Sequence, residues 1–125
     1  MTADARYGAL QLFVDGRWLD AGDRVTEDVI NPATGEAIAA LPHASRADID
    51  AAAEAAGRAF RPWKTLPAYD RAKIIRKAAD LLRERVEHIA TRVVLEQGKP
   101  MLEARQEVLA AADIFDWTAD EGRRT

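Results

Sequence analysis

Cysteine is absent from the 125 residues. Its absence excludes a disulfide, a zinc–thiolate centre and a thiol nucleophile within the chain. Histidine is scarce. His43 and His88 lie far apart, and neither has a second ligand at helical or hairpin spacing, so the pattern argues against a zinc site. A basic excess is also missing: 18 Lys and Arg against 21 Asp and Glu leave a net charge of −3. A protein that lives on phosphate contacts needs the opposite balance, so nucleic acid is not an expected partner. Charges of both signs are interspersed, which leaves no basic face for a membrane surface. No apolar run approaches the roughly 20 residues of a membrane span. The N-terminal MTADARYGAL has no apolar core of the kind a signal peptide carries, and the expected location is cytoplasmic. Gly35, Gly57 and Gly98 stand alone, so no glycine-rich phosphate loop is written here.

What is present is an ordinary globular composition, 48% apolar and 31% charged. One domain is the default for this length, and about 65% of the unfolded surface can be buried. The first third alternates with a period of two. Residues 1–9 are expected to be loose. Leu10–Val14 meets Asp15-Gly16 and continues as Arg17–Leu19, and Asp-Gly between apolar runs is a strong hairpin signal. Leu12 and Val14 share one face, with Trp18 a candidate neighbour across the strands. Val25–Ile30 reads as a strand ending in Asn31-Pro32, Gly35 allows the reversal, and Ala37–Leu41 is the return strand, stopped by Pro42.

From Ser45 the period becomes 3.6. Ser45 and Asp48 make a capping box. Ile49, Ala52, Ala53, Ala56 and Phe60 then share a face, and Pro62 is expected to end the helix. Trp63 and Leu66 are placed in the connector, pinned to the core. The pattern predicts a second helix from Pro67, a break near Arg85–Glu87, and a left-handed cap at Gly98. In the last helix Leu102, Leu109, Ala112 and Phe115 or Trp117 are assigned inward. The fold class is α+β: a small antiparallel β-hairpin unit over about 10–41, then helices over about 45–61, 67–85, 86–97 and 100–121. Hydroxyls are few and none sits at a nucleophile elbow. Glu84 with Glu87, and Glu103 with Glu107, have the spacing of a solvated helix face rather than of a dry carboxylate pair.

The stretches LFVDGRWLDA, VINPATGEAIAALP, ADIDAAAEAAGRAFRPWKTLPAYDRAKIIRKAADLLRERVEHIA, VVLEQGKPMLEARQEV and AADIFDWTADEGRR, in that order, resemble the N-terminal segment of the NAD(P)-dependent aldehyde dehydrogenase superfamily. The last two look most similar to its succinate-semialdehyde dehydrogenase branch. The resemblance implies an enzyme several times longer, of which residues 1–125 are one segment, the N-terminal part of the coenzyme-binding domain. In such enzymes a cysteine attacks the aldehyde to form a thiohemiacetal, hydride passes to NAD or NADP, and a glutamate activates water. Those groups follow this segment in family order, so the chain alone is expected to be inactive and to hold no coenzyme. The resemblance also implies a Na or K ion held by backbone oxygens of Val29 and Ile30 and by the Glu96 carboxylate. It places Ala110, Ile114 and Trp117 in the wall of the substrate tunnel. Expected partners are a second copy of the chain or the remainder of the enzyme. The competing reading is a free-standing helical interaction module on the same scaffold.

Overall fold

The computed structural model describes residues 7–124, in two compact units that divide after Lys64. The expectation of a loose start over residues 1–6 lies outside the described residues. Tyr7, by contrast, is buried.

The first unit opens with two hairpins. Strands β1 (Leu12–Val14) and β2 (Arg17–Leu19) pair antiparallel. Asp15 and Gly16 between them have φ of 51° and 76°. A type I′ turn requires positive φ at both positions, which is why this dipeptide writes a hairpin so plainly. Trp18 sits opposite Phe13, not on the face of Leu12 and Val14, because the two-residue turn sets the register. The Phe13 and Trp18 rings meet at 4.7 Å between centroids. Strands β3 (Thr26–Ile30) and β4 (Ala37–Pro42) form the second antiparallel pair, with an irregularity between Val29 and Ile30. Asn31 closes this hairpin. Its carbonyl accepts the amide N–H of Gly35 at 2.8 Å, and its side-chain oxygen accepts that of Ala33 at 2.9 Å. Pro42 is paired with Thr26 rather than excluded from the strand; a proline is tolerated at a strand's last position. Ile38 and Ala39 are buried here.

Helix α1 (Arg46–Thr65) starts where the capping box predicts. The Asp48 amide donates to Ser45 Oγ at 3.2 Å, and Asp48 Oδ2 accepts the Ser45 amide at 2.8 Å. The helix runs through Pro62 instead of stopping there. So close to the end, a proline removes only one helical hydrogen bond, and the last turn continues past it. Trp63 is therefore helical. It and Leu66 are exposed rather than pinned to a core, and among the described residues no side chain of α1 is buried.

The second unit holds α2 (Ala68–Glu84), α3 (Val86–Gln97) and α4 (Met101–Glu121). Arg85 leaves helical geometry at φ −103° and ψ 16°, the break expected from the change in stripe phase. Gly98 caps α3 at φ 67°, its amide donating to the Val94 carbonyl at 2.9 Å. Both α2 and α3 pack on α4. The core is built from small residues: Ala72, Ala79, Ala90, Ala104, Ala112 and Ala119 are buried, with Leu95 and Val108. Alanine at the contact points lets helix axes approach closely. The larger residues assigned inward on α4, Leu102, Leu109, Phe115 and Trp117, are exposed. Alanine carries too weak a hydrophobic signal to mark the buried face, and the larger residues drew the assignment away from it.

Candidate functional site

Helix α4 has two apolar faces. Ala104, Val108, Ala112 and Ala119 recur at helical spacing and are buried against the helices beneath. At 3.6 residues per turn, Ala110, Ile114 and Trp117 fall together on a face roughly opposite. All three are exposed, Ile114 at 62% and Trp117 at 66%. The structure thus brings the three tunnel-wall candidates onto one uncovered surface.

Ion pairs along one edge fix the rotation of α4. Arg83 of α2 donates to Asp113 and Asp116, each at 2.7 Å, and Arg76 pairs with Asp120. From α3, Glu87 receives a two-pronged guanidinium from Arg105 at 2.8 and 2.7 Å. Aspartates on adjacent turns of one edge, each matched to a basic residue of α2, allow one rotational setting, and that setting points Trp117 outward. Local sequence rules reveal none of these pairs, because the partners lie 18 to 44 residues apart.

Arg105 holds the Glu87 carboxyl below the ordinary carboxylate range. In the first unit, Arg24 grips Asp48 with two bonds at 2.9 and 2.7 Å, and with Ser45 holds its carboxyl far below the usual range. Asp48 is a structural anion that ties the loop before β3 to the start of α1. The His43 ring meets the Glu27 carboxylate at 3.1 Å. Among the described residues no cluster of three or more His, Asp or Glu could hold a metal. Of the cation ligands implied by resemblance, Val29 and Ile30 lie at the irregularity of β3 in the first unit, and Glu96 lies in the last turn of α3 in the second. The backbone N–H groups of Gly35 and Gly98 donate to the Asn31 and Val94 carbonyls, closing a turn and capping a helix. Among the described residues no helix is long and apolar enough to cross a membrane.

The aldehyde dehydrogenase family model matches residues 18–125. Over 121 residues the chain is 40% identical to the glutarate-semialdehyde dehydrogenase of Pseudomonas aeruginosa, which covers 97% of this chain and 25% of that protein. Over 114 residues it is 40% identical to the NADP+ succinate-semialdehyde dehydrogenase of Escherichia coli, covering 91% of this chain and 24% of that one. Among solved structures, an aldehyde dehydrogenase from Brucella melitensis biovar abortus superposes with a TM-score of 0.87 at 44% identity, over 91% of this chain and 24% of that one. The chain spans about a quarter of the length of the curated relatives it matches.

Proposed function

The chain belongs to the aldehyde dehydrogenase family, and from that premise we propose that it forms the N-terminal part of the coenzyme-binding domain of a semialdehyde dehydrogenase. The proposed reaction oxidises an aldehyde at one end of a short dicarboxylic acid, succinate semialdehyde foremost, to the acid. NAD or NADP takes the hydride. The observation that carries this reading is the match over residues 18–125, joined to 40% identity with relatives whose names specify succinate and glutarate semialdehydes.

Within that reaction the chain's part is mechanical. It contains no thiol, so no thiohemiacetal forms on it. The nucleophile, the water-activating base and the coenzyme loops belong to polypeptide beyond the segment. What this chain supplies is a wall. Ala110, Ile114 and Trp117 present apolar surface to the methylene portion of the aldehyde, and the ion pairs to Asp113, Asp116 and Asp120 hold that surface in orientation. An apolar wall excludes water from the reacting carbon and adds binding that does not change between ground and transition states. The exposed apolar faces of α1 and α4 also support association, with a second copy or with polypeptide that completes the family fold.

Replacing the matching N-terminal quarter of the Pseudomonas aeruginosa relative with this chain tests the reading. A folded chimera that oxidises glutarate or succinate semialdehyde supports it. A folded chimera that binds coenzyme yet turns over neither semialdehyde contradicts it.

A further inference from the structure

Among the described residues, Asp15 is the non-glycine residue held at positive φ, 51°, and Gly16 follows it at 76°. An L side chain is strained in that region, and the tight turn keeps it there. Asp-Gly is also the dipeptide in which an aspartyl side chain most easily reaches the next backbone nitrogen, because glycine puts no Cβ in the way. A Cβ at Gly16 would meet nothing within 4 Å, so the space beside its backbone is open. Nowhere else in the chain does an Asp or Asn precede a glycine.

The hairpin that imposes this turn is small. β1 and β2 are three residues each, in a sheet of two strands. Such a ribbon is marginally stable by itself. Phe13 and Trp18, the aromatic pair across it, are both exposed, so little burial resists local opening. A restraint comes from outside the hairpin. Arg58 of α1 sets its Nη2 3.0 Å from Asp15 Oδ2, while its Nη1 lies 4.0 Å from Glu54. This ion pair ties the Asp15 carboxylate to the helix and opposes its swing onto its own backbone.

From this juxtaposition we propose that Asp15 is a site of spontaneous isoaspartate formation, held in check by Arg58. The Gly16 amide nitrogen attacks Asp15 Cγ. The carboxyl, having taken up a proton, loses its hydroxyl together with the amide hydrogen as water, and the new C–N bond closes a five-membered succinimide. Solvent water then adds to either imide carbonyl. Opening at Cγ restores aspartate. Opening at the main-chain carbonyl leaves isoaspartate, with the chain running through Cγ and a free carboxylate on Cα. No oxidant or cofactor takes part. The added methylene lengthens a turn built for two residues, so it misaligns Phe13 with Trp18 and opens the hairpin. The chemistry is independent of the proposed aldehyde oxidation, and neither depends on the other. The Arg58–Asp15 pair is exposed on both sides, so its loss speeds isomerisation only by roughly two- to fivefold.

Incubation of the full chain at neutral pH and body temperature, followed by peptide mapping with electron-transfer fragmentation, tests the site. Isoaspartate accumulates at residue 15 ahead of every other aspartate. Arg58→Gln accelerates it by that factor, and Arg58→Lys, which keeps a cation within reach, by less. Circular dichroism checks that both variants stay helical. The chain unfolded in urea isomerises faster than any of them. A level at residue 15 no higher than at Asp20 or Asp28 overturns the proposal. Equal rates in the parent and Arg58→Gln overturn the part given to Arg58, as does a folded parent that isomerises as fast as the unfolded chain.

Discussion

Replacing Ala104 with Leu places three extra carbons where α4 has no room. Ala104 is fully buried in a cluster with Ala90 and Val108, walled by Val86, Ile89, Val93, Val94 and Met101. Leucine is almost as good a helix former as alanine, so helix propensity contributes only a few tenths of a kcal/mol. The cost is steric. Overpacking a well-filled core typically destabilises by about 1–3 kcal/mol. At about 4–8 °C per kcal/mol for a unit of this size, a penalty near 2 kcal/mol lowers Tm by roughly 8–16 °C. Ala110→Leu is the matched control, the same change on the same helix but on the exposed face. It should stay within about 0.5 kcal/mol of the parent, as surface substitutions usually do. Thermal melts followed by far-UV circular dichroism compare the two. Equal Tm shifts, or a larger one for Ala110→Leu, would refute the assignment of inner and outer faces, and with it the wall.

Further outcomes follow from local geometry. Gly98→Ala puts a Cβ at φ 67° and should destabilise by about 1–2 kcal/mol in urea titration. Gly57→Ala has open space for its Cβ inside α1 and should be neutral or stabilising by about 0.5–1 kcal/mol; like signs for the pair would contradict the backbone assignment. Arg24 and Ser45 depress the Asp48 pKa, so this carboxylate's stabilisation is complete above the ordinary aspartate value of about 3.9 and is lost as pH falls below it. Asp48→Asn should weaken the fold at neutral pH and flatten the acid limb of the stability profile; an acid limb as steep as the parent's would show that other carboxylates carry it.

Much of this architecture is legible in residue order because it is local. Asp15-Gly16, Ser45 with Asp48, and Gly98 each dictate a turn, a cap or a stop through their own backbone chemistry, and each stands where it was read. The helix faces were less legible. An alanine-built core gives almost no periodic hydrophobic signal, while Leu102, Leu109 and Trp117, on the outside of α4, give a strong one that points the wrong way. Pro62 does not end α1, because a proline's cost depends on how much helix follows it. The Arg83 clamp and the Arg24–Asp48 pair join residues distant in sequence, and only the folded backbone brings them together. The tunnel-wall residues came from family resemblance; geometry adds that they share a face and are uncovered.

Steady-state kinetics of the chimera carrying Trp117→Ala bear most directly on the central claim that this segment shapes a site without making bonds. Removing that much apolar contact, on the order of 1–3 kcal/mol, should raise KM for the semialdehyde by roughly 5- to 150-fold and leave kcat within a few-fold. A kcat that collapses while KM holds would contradict the claim, because Trp117 would then act only in the transition state.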